Sequence, residues 1–196
     1  MDYYKSGGEK FGPLSSRIYA FGSKHSLKNL YLFIARDVKK LNPKTILDVG
    51  AGPSDLSILL AKTIKNAKIY CVDPSPSMRR IAIKRIHKLG IKNVNYELGS
   101  SRHIPFEERF DVILTSISFH HWKEKRKSIE YLLKKLDKNG QLIIYEFCYD
   151  KLNNMQKTMM GKHSLSIKEA ESYNFKGLKK SVNIHKNVIK VSFKRC

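Results

Sequence analysis

Two aspartates stand where strand-forming sequence gives way to turn-forming sequence. Asp48 lies in TILDVGAGPSDLSILLA, Thr45 to Ala61, and Asp73 lies in IYCVDPS. Each closes a short apolar run, and strand interiors disfavour Asp. Gly50, Ala51 and Gly52 follow the first acid. Glycine lets backbone come close to a ligand because no Cβ intervenes, and Ser54 is placed to cap the helix that follows. The spacing is not that of a dinucleotide turn, since Asp55 stands where G-x-G-x-x-G has its third glycine. No G-K-[ST] follows, which excludes a Walker loop. Asp48 and Asp55 would repel a pyrophosphate at a helix N-terminus and suit an ammonium group. Asp73 is placed to accept hydrogen bonds from both hydroxyls of a ribose. S-adenosylmethionine carries an amino acid end, a ribose and an adenine, and would satisfy both acids.

A second group of reactive side chains lies in SISFHHW, Ser116 to Trp122. His120 and His121 are candidate bases, because imidazole titrates near neutrality. The competing reading is that His121 only supports the loop. No metal partner for either is evident, so metal ligation is not expected. Tyr3, Tyr4, Phe11, Tyr19 and Phe21 in the lead-in, residues 1–24, offer an aromatic lid or, equally, core contacts of a docked N-terminus.

The elements that must position these groups alternate along residues 25–196, read as a single domain. Apolar residues recur at helical spacing from Leu27 to Leu41, and Asn42-Pro43 stops the helix. Strands are expected at Thr45 to Val49, Lys68 to Val72, Val94 to Leu98, Phe110 to Ser116 and Gln141 to Phe147, the last entered through a turn at Asn139-Gly140. Helices are expected at Ser54 to Ile64, at Ser77 to Leu89 with Met78, Ile81, Ala82, Ile86 and Leu89 inward, and at Glu124 to Leu136. A polar stretch then runs to His163, followed by a short helix from Ser166 to Asn174. Leu178 to His185 and Val188 to Lys194 are separated only by Lys186-Asn187, which demands an antiparallel hairpin. The fold class is α/β: a three-layer sandwich on a mostly parallel seven-stranded sheet that ends in the hairpin.

Composition bounds the rest. The 196 residues, 41% hydrophobic, suffice for one folded domain. No apolar run reaches the ~18 residues of a membrane span, and the first residues lack a signal-peptide core. Three scattered cysteines read as free thiols of a reducing cytoplasm. The 38 basic residues, most of them lysine, against 17 acids give a formal charge of +21. This charge suits RNA or another polyanion, or is simply a set of solvated helix faces. The oligomeric state is not legible.

The chain resembles the class I S-adenosylmethionine-dependent methyltransferases, in particular the ubiquinone/menaquinone C-methyltransferases. Four stretches carry the likeness in order: ILDVGAGPSDLSILLA, IYCVDPSPSM, LGSSRHIPFEERFDVILTSISFHHW and LDKNGQLIIYEF. The resemblance implies a Rossmann-like fold and S-adenosyl-L-methionine as cofactor. It implies that Asp48, Gly50, Ala51 and Gly52 surround the methionine end, with Asp73 on the ribose. Pro74 and Met78 would then lie beside the adenine, Ser100 and Ser101 at its edge, Ser116 near the methionyl group, and Tyr19 reaching in from the lead-in. Ser54 replaces the third glycine of the family's first motif, and Ser100 stands where the family often has Asp. No [DN]-P-P-[YFW] follows the fourth strand, which by this resemblance disfavours methylation of exocyclic amino groups of bases, and no cysteine stands there, which disfavours the cysteine-dependent route to base C5. A small-molecule acceptor is favoured over RNA. A non-catalytic protein that binds the cofactor or RNA is the third reading.

Overall fold

The computed structural model describes residues 24–195, with side chains from Leu27 onward. The lead-in, with Tyr19 and the other residues expected to form a lid, lies outside the described residues. Helix α1 spans Lys24–Lys39, followed by β1 Thr45–Val49, α2 Asp55–Thr63, β2 Lys68–Asp73, α3 Pro76–Lys88, β3 Val94–Leu98 and β4 Phe110–Ser116. Then come α4 Lys125–Lys135, β5 Leu136–Phe147, α5 Asn154–Met160, α6 Ile167–Ser172, β6 Leu178–His185 and β7 Val188–Arg195. Short 3₁₀ turns at Phe119–His121, Tyr149–Lys151 and Gly161–His163 link them.

The seven strands form one sheet in the order β3-β2-β1-β4-β5-β7-β6. The first five are parallel, and β7 runs antiparallel to both β5 and β6. Side chains alternate across the pleat, and this sorts the core into two layers. Ile46, Ile69, Cys71, Val112 and Ile143 face α1, α2 and α3, among Ile34, Leu60, Ala82 and Ile86. Leu47, Val72, Ile113, Leu142 and Ile144 face α4 and α6, among Phe119, Ile129, Leu132 and Ala170. The expected three-layer α/β sandwich with its terminal hairpin is therefore the observed fold. Among the described residues no helix is long and apolar enough to cross a membrane.

One local expectation is corrected. Ile81 and Leu89 on and after α3 are 47% and 48% exposed, so only Ala82 and Ile86 of that helix are buried. The packed stripe is narrow because α3 covers the sheet near its β3 edge. Strand β5 starts earlier than expected, at Leu136, but its pairing jumps from Phe110↔Leu136 to Val112↔Gln141, so Asp137 to Gly140 fold out of the ladder. A Cβ on Gly140 would lie 3.1 Å from the Asp137 backbone, so the expected turn at Asn139-Gly140 is present and leads into the paired run from Gln141. Of the two readings open for the polar stretch before His163, loop or loose helix, the helix is observed: α5 is started by a reciprocal capping box between Asn153 and Gln156.

Candidate functional site: the carboxyl edge of the sheet

At the tips of β1 and β2 the two acids and the two glycines form one braced turn. The N–H groups of Gly50 and Ala51 both donate to the Val72 carbonyl, at 2.8 and 3.1 Å. Gly52 N–H donates to Asp73 Oδ2 at 3.0 Å, and Ser75 N–H donates to Asp73 Oδ1 at 2.9 Å. Asp73 is fully buried and so also holds the turn it faces. Tyr96 on β3, which the sequence did not single out, donates its hydroxyl to the Gly52 carbonyl at 2.7 Å. Gly50 and Gly52 take φ of 78° and 52°, the left-handed region that glycine enters without strain. A Cβ on Gly50 would lie 2.0 Å from Ser118 Oγ, whereas one on Gly52 would meet none of the described residues within 4 Å. Gly50 is thus required by the loop beyond β4, and among the described residues Gly52 has free space beside it.

Asp48 is buried and accepts from the Ser57 hydroxyl at 2.6 Å. Burial raises its pKa to about 7, with the Ser57 bond lowering it and neighbouring Asp73 raising it further. The carboxylate is poised to ionise when a cation approaches. Asp55 does not join it. Arg85 of α3 binds Asp55 Oδ1 at 2.5 Å and the Pro53 carbonyl at 2.7 Å, so this acid is neutralised within the protein. Ser54 does not cap α2 either. It adopts φ of 65° with no side-chain cap bond, because the chain must turn left-handed there to follow Gly52.

Further along the edge, Ser75 caps α3 by accepting from Met78 N–H, and Pro74 and Met78 are half-buried beside it. Ser100 closes a tight turn with His103 and accepts from Arg102 N–H at 3.3 Å. Ser101 is buried and bonds Ser128 of α4 at 2.9 Å, which commits its hydroxyl to the helix. At the end of β4, the buried Ser116 Oγ has no hydrogen-bond partner among the described residues.

The chain leaves β4 through Ile117 at φ 51°, an uncommon conformation for a β-branched residue. It is held by its N–H bond to the Tyr145 carbonyl at 2.9 Å. Phe119 anchors the following turn in the core, edge-on to Trp122 and Tyr173. This presents His120 beside Glu146 of β5. Glu146 Oε2 lies 3.0 Å from His120 Nδ1 and also accepts from the His120 N–H at 3.3 Å. Glu146 is fully buried. Strand alternation places it on the face of Leu142 and Ile144, one acid in an otherwise apolar run. With Nδ1 turned to a carboxylate, His120 carries its lone pair on Nε2.

The ring of His121 stacks at a tilt 4.0 Å from that of His120, and His163 from the turn after α5 lies 4.9 Å from His120. Burial lowers the His121 pKa to about 4, with His120 and His163 adding to the effect. Burial also lowers that of His163. The expectation that no metal-ligating residue stands near His120 and His121 is corrected: β5 and α5 bring His163 to them. Glu146 left a faint signal in the sequence as the single charge inside LIIYEF. His163 left none.

A family model described as a methyltransferase domain matches residues 41–188. The chain belongs to that family. Among curated relatives, an uncharacterized methyltransferase of Staphylococcus carnosus is 34% identical over 107 residues, 54% of this chain and 48% of that protein. A ubiquinone/menaquinone biosynthesis C-methyltransferase of Wigglesworthia glossinidia brevipalpis is 28% identical, covering 88% of this chain and 71% of its own. A demethylmenaquinone methyltransferase of Thermotoga maritima is 28% identical over 68% of this chain and 55% of its own. The chain thus spans between about half and 71% of the length of these relatives. Among solved structures, the plantazolicin methyltransferase BpumL, in complex with SAH, superposes with a TM-score of 0.77 at 14% identity, over 93% of this chain and 90% of that one. A SAM-dependent methyltransferase from Aquifex aeolicus superposes with a TM-score of 0.68 at 22% identity, over 95% of this chain and 100% of that one. Both share this methyltransferase's fold.

Proposed function

We propose that the protein transfers the sulfonium methyl group of S-adenosylmethionine to a small-molecule acceptor. The observation that carries this reading is the turn at Gly50 to Gly52, which no other described residue covers at Gly52 and which Asp48 and Asp73 flank. When bound, the cofactor supplies an activated methyl carbon that needs only an aligned nucleophile and the exclusion of water. Asp48, ionising from its raised pKa, would hold the donor's ammonium group. Asp73, already fixed by two backbone N–H groups, would take ribose hydroxyls. Pro74, Met78 and Ser100 would border the adenine, and Ser116, with its unused hydroxyl, would face the methionyl end. Ser101 contributes by tying this loop to α4.

On the acceptor side, His120 oriented by Glu146 has the arrangement of a general base, with neutral His121 beside it. The activities for which two relatives are named, ubiquinone/menaquinone and demethylmenaquinone methylation, favour a quinone precursor, whose ring must lose a proton as it gains a methyl group. Two buried free thiols, Cys71 and Cys148, support a reducing cytoplasm. Calorimetry with S-adenosylhomocysteine tests the donor site directly. Saturable binding is expected, weakened at least about tenfold in Asp73→Asn, the loss of one charge-assisted hydrogen bond; absence of heat at high protein concentration would sink the reading.

A second reading, methylation of RNA, draws support from the charge of +21. It requires tight RNA binding whose affinity falls steeply with salt, followed by methyl incorporation into that RNA.

A further inference from the structure

Three imidazoles converge at the ends of β4 and β5. His120 and His121 come from the turn after β4, and His163 from the turn after α5. One donor nitrogen of each lies within 4.8 Å of the other two. The His120 side chain is only 3% exposed, yet its Nε2 has no hydrogen-bond partner among the described residues. Nδ1 of His163 is buried and lacks a partner among them in the same way. Buried polar atoms are rarely left so. The other nitrogen of His120 is fastened to the buried carboxylate of Glu146. That is the outer-shell partner that orients a metal-bound imidazole and strengthens it as a donor.

We propose that His120, His121 and His163 form a binding site for one divalent transition-metal ion of zinc-like preference for imidazole. Bonds of about 2.0–2.1 Å to a tetrahedral ion place donor nitrogens about 3.3 Å apart. The three rings therefore close on the ion by rotation of their side chains, with no demand on the sheet. His120 offers Nε2, because Nδ1 is held by Glu146. Three protein ligands leave a fourth position for an exogenous oxygen. The Nε2 lone pair cannot bind an ion and remove a proton at once. Metal loading therefore competes with the base role given to His120 above, and this consequence alone rests on that reading.

The full chain, freed of metal by chelation, is titrated with cobalt(II) as the probe and followed by visible absorption and equilibrium dialysis. The expected result is one ion per chain with the strong bands of four-coordinate cobalt. His163→Ala, on a surface turn that leaves the core intact, should weaken uptake by at least about a hundredfold. Glu146→Gln should weaken it about 10–100-fold while keeping the stoichiometry, provided its circular dichroism matches the parent. No uptake at millimolar cobalt, or uptake unchanged in His163→Ala, overturns the site. Neither outcome touches the methyltransferase reading, because homocysteine-cofactor calorimetry needs no histidine of this cluster.

Discussion

The two ends of the carboxyl edge are built in opposite ways. At the β1–β2 tips, the groups that would hold the donor lie in two short stretches of chain, and their fastenings come from close by along them: backbone N–H groups for Asp73 and the Ser57 hydroxyl for Asp48. At the β4–β5 tips, His120, His121, Glu146 and His163 come from three separate elements, and side chains fasten one another. Parallel strands explain the first pattern, since each β–turn–α unit delivers one tip and one helix start to the same edge. The second requires chain segments that only packing aligns. The end proposed for the donor is consequently a local device and the end proposed for the acceptor a tertiary one. The two touch where Ser118 presses on Gly50.

The largest expected effect falls on the acceptor end. His120→Ala should lower turnover about 10²–10⁴-fold, the usual contribution of a general base, with homocysteine-cofactor affinity unchanged. Loss of cofactor binding in this variant would show that the two ends are not separable. Gly50→Ala should then destabilise the fold by roughly 1–3 kcal/mol, as expected for a residue forced into a sparsely populated region, with the clash on Ser118 added. The double variant Gly50→Ala, Ser118→Gly should recover the steric part in thermal unfolding but not the conformational part. Full recovery would mean that φ at Gly50 carries no cost.

The pH dependence comes next. Folding raises the Asp48 pKa from 3.8 to about 7, so the fold favours the protonated acid. Its stabilising contribution is present below pH 4 and is lost as pH climbs to about 7. Asp48→Asn should remove that slope and make the ligand-free protein more stable than the parent at about pH 8. Donor binding has the opposite sign, since the ammonium group favours the ionised acid. Affinity for S-adenosylhomocysteine should rise between about pH 6 and about pH 7.5 in the parent and stay flat in Asp48→Asn. A flat profile in the parent would remove Asp48 from the ammonium site. The smallest effect belongs to Tyr96→Phe, which deletes only the bond to the Gly52 carbonyl. A loss of about 1 kcal/mol, or roughly 2–4 °C in Tm, should appear with turnover almost intact.

The strands, their parallel order and the terminal hairpin were legible in the sequence because each rests on local patterning. Apolar runs of strand length, helical spacing between them and the two-residue link Lys186-Asn187 leave few alternatives. The same locality exposed Asp48, Gly50, Gly52 and Asp73, whose roles depend on standing at or just past the carboxyl end of a strand. Patterning could not say that Arg85 neutralises Asp55, that Ser54 turns left-handed instead of capping, or that Ser101 turns toward α4. Nor could it foresee that Leu136 pairs with Phe110 before the Asn139-Gly140 turn, since pairing partners are set across the sheet. Glu146 and His163 became functional candidates only once β5 and the turn after α5 were placed beside the loop of His120. Sequence fixes what each segment prefers by itself, because propensity and polarity act over a few residues. Which buried charge meets which imidazole is decided by packing distant segments into one volume, where desolvation makes each polar group find a partner or remain costly.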